Sequence, residues 1–105
     1  MITTDEAAEL VGTTRVTINN WIKSSRCIGV ANLRRGFKLP AWQFQASIWP
    51  VLQPLAKSLA ATDGWKVLTF LETPFGALNG KTPRASLEQG ALMSDVLSVA
   101  MMEAH

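Results

Sequence analysis

Residues 3–23, TTDEAAELVGTTRVTINNWIK, contain two helix starts in close succession. Thr3 stands three residues before Glu6, and this spacing predicts a capping box, in which each side chain accepts a hydrogen bond from the other residue's backbone N–H. Gly12 is a typical helix terminator, and the threonines at 13–14 supply an N-cap for the next helix. Two short helices joined by a tight glycine turn predict a helix-turn-helix.

The second of these helices has two distinct faces. Ile18, Trp21 and Ile22 follow one another at the i, i+3, i+4 spacing, which predicts a stripe packed on the first helix. The other face then points outward and carries a cation-rich, amide-rich set of side chains: Arg15, Val16, Asn19, Asn20 and Lys23.

These outward residue types match the chemistry of base-edge recognition. A single α-helix fits the major groove of duplex DNA. There Asn pairs with adenine, Arg pairs with guanine, and an apolar side chain contacts the thymine methyl group. The adjacent Asn19 and Asn20 are poor helix formers, which a merely solvated surface would not favour. We therefore predict that this helix contacts bases.

A short β-hairpin is expected after the second helix. The β-like runs at 27–30 and 37–39 flank residues 32–36, and Gly36 supplies the positive φ that such a turn needs. Arg34, Arg35 and Lys38 make this hairpin basic, so it can reach phosphates or the minor groove. A basic hairpin beside a helix-turn-helix predicts a wing.

The second half of the chain has a helical pattern throughout. Its last helix carries an apolar stripe at the end of the chain, which we interpret as a surface for a homodimer or another partner. The same stripe could instead complete the core of the monomer, and both interpretations stay open at this point. The stripe consists of Met93, Val96, Leu97, Ala100 and Met101.

Charge is distributed unevenly along the chain. The 105 residues carry a net charge of only +2. Residues 1–9 contain three acids and no base, residues 10–62 contain seven bases and no acid, and residues 63–105 contain five acids against three bases. A basic block between acidic ends indicates a polyanionic partner such as DNA for the first half.

The first half also carries a family resemblance. TTDEAAELVGTTRVTINNWIKSSRCIGV, the arginine-tipped hairpin and LPAWQF together resemble the short winged helix-turn-helix of MerR-type regulators and excisionases, over residues 1–45. The resemblance implies DNA binding by the helix at 14–23, which adds Thr14 and Thr17 to the candidate contacts, and by the wing.

The second half resembles the C-terminal toxin-binding domain of the Xre, MbcA and ParS antitoxins, over roughly residues 46–105. The resemblance rests on an FL-x-x-P segment, an L-x-G-x-x-P segment and a short helix that closes on glycine. It implies a role as the antitoxin of a toxin-antitoxin pair. The matching positions are Phe70, Leu71, Pro74, Leu78, Gly80, Pro83, Leu87 and Gly90.

Composition bounds the remaining possibilities. Cys27 is a lone cysteine and His105 is the one histidine, so the sequence predicts no catalytic site, no metal site and no cofactor. No apolar run approaches the roughly 18 residues of a membrane span, and the acidic N-terminus is unlike a secretory signal, so we expect a cytoplasmic protein.

The predicted fold is mainly α: a winged helix-turn-helix with one β-hairpin over residues 1–45, packed on a small helical bundle over residues 46–105. The predicted function is sequence-selective binding of double-stranded DNA by a homodimeric transcriptional regulator. The alternative is a protein-interaction module, for toxin neutralisation or dimerisation, without specific DNA binding.

Overall fold

The computed structural model describes residues 1–31 and 36–104, and within them the chain is mainly helical with a small antiparallel sheet. This confirms the predicted fold class. The helices are α1 (Thr4–Val11), α2 (Arg15–Lys23), α3 (Leu52–Ser58), α4 (Gly64–Leu71), α5 (Pro83–Glu88) and α6 (Met93–Ala104), and the strands are β1 (Ile2–Thr3), β2 (Val30–Ala31) and β3 (Phe37–Leu39).

Helices α1 and α2 pack on each other across a tight turn. The Thr3 hydroxyl accepts from the Glu6 N–H at 3.1 Å, and the Glu6 carboxylate accepts from the Thr3 N–H at 3.0 Å, so the predicted capping box is confirmed. Gly12 ends α1 in the left-handed region, with φ at 73°. Ile18 is fully buried between the two helices, as its place in the apolar stripe predicted.

The sheet has three strands, with β3 in the centre. β1 pairs with one edge of β3, placing Ile2 opposite Leu39, and β2 pairs with the other edge, placing Val30 opposite Lys38. The sequence analysis missed β1, because a two-residue strand has no detectable alternation. The hairpin was predicted correctly, but its first strand is shorter than the expected run at 27–30. Ile28 instead hydrogen-bonds to a side chain from a later segment, that of Gln43.

Two apolar clusters form the core. One lies under the helix-turn-helix and contains Ala7, Ile18 and Leu39; the other is larger and joins Val30 to the helices of the second half. Trp49 packs against both clusters, so the two halves of the chain share one continuous interior.

The interface predicted on α6 needs a correction. Val96 and Ala100 are completely buried within the monomer, where α6 packs against α3 and α5. Leu97 is half-buried against the same cluster. Most of the apolar stripe therefore completes the core, because this face of α6 lies against α3 and α5. No helix among the described residues is long and apolar enough to cross a membrane.

Candidate nucleic-acid interface

The start of α2 is fixed by two threonines. The Thr14 hydroxyl accepts from the Thr17 N–H at 3.2 Å and lies 3.0 Å from the Thr17 hydroxyl. Both side chains were predicted as DNA contacts. The Thr14 side chain caps the helix, and the Thr17 hydroxyl contacts the capping hydroxyl.

Four of the predicted contact residues lie exposed on the outward side of α2. Arg15, Asn20 and Lys23 are exposed, and Val16 is 68% exposed. Asn19 is half-buried, so its side chain is less available than its neighbour's. An exposed valine among amide and cationic groups is the combination that the major groove can use, since the thymine methyl group is its apolar feature.

Arg15 has one nearby anion. Its guanidinium lies 3.9 Å from the Asp5 carboxylate of α1, and both side chains are mostly exposed, at 65% and 72%. Exposed ion pairs at this distance contribute about 0–1 kcal/mol and are screened by salt. A DNA phosphate can therefore replace Asp5 at little cost.

The hairpin contributes one cation among the described residues. Lys38 lies in the central strand β3, opposite Thr3 on one side and Val30 on the other, and it is half-buried. The pKa of Glu6 is lowered chiefly by its hydrogen bonds with Thr3 and to a smaller degree by the charge of Lys38. The predicted contacts Arg34 and Arg35 lie outside the described residues.

Three side chains that the sequence analysis did not select hold the segment between α2 and the hairpin. Gln43 is fully buried; its Oε1 accepts from the Ile28 N–H at 2.7 Å, and its Nε2 donates to the Ile28 carbonyl at 2.9 Å and to the Pro40 carbonyl at 3.0 Å. This amide replaces the strand pairing that Ile28 lacks. A lone glutamine between aromatic residues has no periodicity that would have identified it.

The other two bonds come from farther along the chain. Trp49 Nε1 donates to the Arg26 carbonyl at 2.8 Å, and Gln53 Nε2 donates to the Ser24 carbonyl at 3.2 Å. The second half of the chain therefore holds the backbone that follows α2. As a result, the position of the hairpin relative to α2 is set by tertiary contacts.

Arg26 is a further cation beside α2. Its guanidinium lies over the Trp21 ring, 5.1 Å from the ring centroid, and the side chain is exposed. Stacking of this kind restricts a flexible side chain while leaving its charge available to an anion. Its membership of the acid-free block at 10–62 is the sequence signal that could have identified it.

Cys27 is buried next to this surface, and burial raises the pKa of its thiol to about 11. The group is therefore a protonated, apolar core side chain at neutral pH rather than a nucleophile. Within residues 1–31 and 36–104, no three His, Cys, Asp or Glu side chains lie together as metal ligands.

The exposed apolar residues of the second half differ from the predicted set. Met93 and Met101 are 37% and 54% exposed, in agreement with a surface role, whereas Val96 and Ala100 are not accessible. Leu92 and Met102, which were not selected, are more exposed than either methionine of the predicted stripe.

Comparisons with protein families, with curated proteins and with solved structures gave no match to this chain.

Proposed function

We propose that this protein binds duplex DNA in a sequence-selective way, as a small transcriptional regulator, with α2 in the major groove and the β2–β3 hairpin against the adjacent backbone. It acts without a cofactor and without catalysis. It binds as a homodimer, because one helix and one hairpin cover little DNA, and two half-sites together give the affinity that such modules need.

The observation that carries this proposal is the outward side of α2. Ile18 anchors the helix to α1, while Arg15, Val16 and Asn20 are exposed on a rigid, capped element. Rigid presentation matters, because base readout depends on hydrogen-bond geometry that a mobile side chain would have to reach at an entropic cost.

The surrounding cations support the same proposal. Lys23 ends α2, Arg26 stacks on Trp21 just beyond it, and Lys38 lies in the hairpin. Such side chains neutralise phosphates and contribute affinity that does not depend on sequence. The proposal therefore assigns base choice to α2 and general affinity to the cations.

The proposal is tested by fluorescence anisotropy in a salt series, with a random-sequence duplex and with a duplex that the protein selects from a random library. Each phosphate contact contributes a slope of about −0.9 to log affinity against log salt, so Lys23→Ala should reduce the slope by about 1 on both duplexes. The matched control is Lys66→Ala, which removes an exposed lysine of α4 outside the acid-free block.

Two outcomes would contradict the proposal. If no duplex binds at low salt, DNA binding itself is wrong. If Lys23→Ala and Lys66→Ala change the slope equally, the basic end of α2 is not the contact surface, and the salt dependence reflects net charge alone.

A second candidate function is binding of another protein, as in an antitoxin, through the exposed apolar side chains at the two ends of α6. Leu92, Met101 and Met102 are each more than half exposed. Methionine side chains are flexible and polarizable, which suits them to contacts with another chain.

This second candidate predicts association that salt does not weaken. The double variant Met101→Glu with Met102→Glu should keep the far-ultraviolet circular dichroism of the parent and should no longer co-purify with the product of a neighbouring gene. Ser94→Glu adds one negative charge at an exposed position near the start of the same helix and is the control. Equal retention of the partner by both variants would exclude this end of α6 as the contact surface.

A further inference from the structure

A cleft of about 370 Å³ lies where the end of α2, the base of the hairpin and the start of α4 meet. Its volume falls within the range of about 300–1,000 Å³ that is typical of small-molecule sites. The cleft meets the outward face of α2 at Lys23, which is the one predicted DNA contact among its lining residues.

The inner wall of the cleft is apolar and comes from four elements of the fold. Because these residues belong to both halves of the chain, the wall exists only in the folded protein. An occupant with an apolar body would be covered on several sides, which is the main source of affinity for small ligands. The apolar lining includes Ile22, Cys27, Ile28, Phe37, Leu52 and Val67.

The backbones of Gly29 and Gly64 approach each other closely at this wall, where the two halves of the chain meet. A Cβ atom on Gly64 would stand 2.4 Å from the Gly29 carbonyl oxygen, and one on Gly29 would stand 2.7 Å from the end of the Ile22 side chain. At Gly64 only glycine permits this approach, because the neighbouring atoms are backbone. Direct backbone contact therefore shapes this side of the cleft.

The rim of the cleft carries one cation and one anion. Lys23 and Asp63 both line it and both are exposed, and neither takes part in an ion pair within the described residues. Asp63 Oδ1 accepts one hydrogen bond, from the Lys66 N–H at 3.1 Å. A carboxylate can accept about four hydrogen bonds, so Asp63 can still accept hydrogen bonds from a cationic group.

We infer that this cleft binds a small zwitterion with an apolar body, of the class of the apolar amino acids. The apolar side chain lies against the inner wall, the ammonium group pairs with Asp63, and the carboxylate pairs with Lys23. This site does not depend on the proposed DNA binding, and its test uses no DNA.

The test is calorimetric titration and saturation-transfer NMR of the full chain with L-phenylalanine as the probe. 3-Phenylpropanoate is L-phenylalanine without the ammonium group, phenethylamine is L-phenylalanine without the carboxylate, and L-glutamate keeps both groups but has no apolar body. L-Phenylalanine should bind saturably, the two singly charged probes about fivefold more weakly because each loses one partly exposed charge contact, and L-glutamate not measurably. Absence of saturable L-phenylalanine binding, or equal binding of phenethylamine, overturns the inference.

Two variants locate the site. Asp63→Asn keeps an N-cap residue for α4 and removes the charge, so L-phenylalanine should bind about fivefold more weakly, whereas the binding of 3-phenylpropanoate should not weaken. Ala31→Phe places a ring at the rim from an exposed strand position. It should abolish binding, whereas the control Ala77→Phe, an exposed position away from this cleft, should bind like the parent. Equal binding by the two phenylalanine variants places the ligand elsewhere and overturns the inference.

Discussion

Helices α2 and α6 have similar sequence patterns but present different surfaces. Each buries an apolar stripe: Ile18 of α2 lies against α1, and Val96 and Ala100 of α6 lie in the larger core cluster. The exposed faces are unlike, since α2 presents Asn20 and two cations next to one valine, whereas α6 presents methionines among serines and the carboxylates of Asp95 and Glu103.

The comparison shows that an amphipathic stripe locates the core more reliably than it locates a partner. An apolar stripe at helical spacing can be buried against any apolar surface, whether that surface belongs to the same chain or to another. The residues left outside the stripe carry the information about function. On α2 these are amide and cationic groups, and on α6 they are methionines, serines and carboxylates.

The largest expected effect comes from placing a charge in either stripe. Ile18→Glu and Val96→Glu each bury a carboxylate without a partner and should cost about 4–5 kcal/mol, enough to abolish cooperative unfolding. Urea denaturation followed by circular dichroism measures this loss. The paired controls are the exposed Val16→Glu and Met101→Glu, which should stay within about 0.5 kcal/mol of the parent. A folded, cooperative Val96→Glu would restore the interface interpretation of the α6 stripe.

The next largest loss of stability should come from the contacts that connect the segment after α2 to the second half of the chain. Gln43→Ala leaves the N–H and the carbonyl of Ile28 without their buried side-chain partner, at a cost of about 3 kcal/mol. The control is Gln45→Ala, because Gln45 is exposed and its amide donates only to the Glu88 carboxylate among the described side chains. Equal denaturation midpoints for the two variants would mean that the buried amide does not hold the segment after α2.

A smaller loss of stability should follow from separating Gly29 and Gly64, where the two halves of the chain are in contact. Gly64→Ala introduces a Cβ atom 2.4 Å from the Gly29 carbonyl oxygen, so α4 must move away from the hairpin, at a cost of about 2 kcal/mol. Gly76→Ala is the control, since a Cβ atom there meets nothing within 4 Å. Thermal unfolding of the two variants separates backbone crowding from the general effect of replacing a glycine, and equal melting temperatures would contradict the close approach.

The polar face of α2 should show its effect on DNA rather than on stability. Asn20→Ala should cost about 1–2 kcal/mol on the selected duplex and almost nothing on a random one, since an amide reads bases. The control is Met101→Ala on α6. It should leave the affinity for both duplexes unchanged when variant and parent are compared in the same oligomeric state. Equal losses for Asn20→Ala on both duplexes would remove it from base readout.

The smallest expected effect is the pH dependence of the helix that supports α2. Hydrogen bonds with Thr3 lower the pKa of Glu6 in the folded state, so the stabilisation is present above the ordinary glutamate pKa and is lost as the pH falls through the lowered one. The difference in the free energy of unfolding between the parent and Glu6→Gln should therefore become smaller as the pH falls from about 6 to about 3. A difference that stays constant over this range would mean that the ionised form of Glu6 is not favoured by the cap.

Local signals in the sequence predicted much of the first region. Thr3, Glu6 and Gly12 act within one or two turns of their own helix, so their roles follow from spacing alone. The caps of α5 are equally local: Thr82 caps the helix through the Ala85 N–H, and Gly90 follows its end with a φ of 95°.

The candidate site was only partly predictable. The exposed face of α2 follows from helical periodicity, whereas the half-buried state of Asn19 depends on neighbours that the periodicity does not specify. The contacts of Gln43 and Trp49 join residues 15 and 23 positions apart, and no local pattern encodes such pairings.

By itself, the sequence determined where α1 ends and α2 starts, which stripes of α2 and α6 are apolar, and where positive charge accumulates, because caps, periodicity and charge are properties of neighbouring residues. Only the tertiary structure decided which apolar stripe is covered by the same chain, that a glutamine amide replaces a strand pairing, and that Gly29 meets Gly64. These outcomes depend on which distant surfaces meet. The burial of apolar area alone favours every apolar surface to a similar degree. Shape and the need to satisfy buried hydrogen-bonding groups decide which of these surfaces pack together.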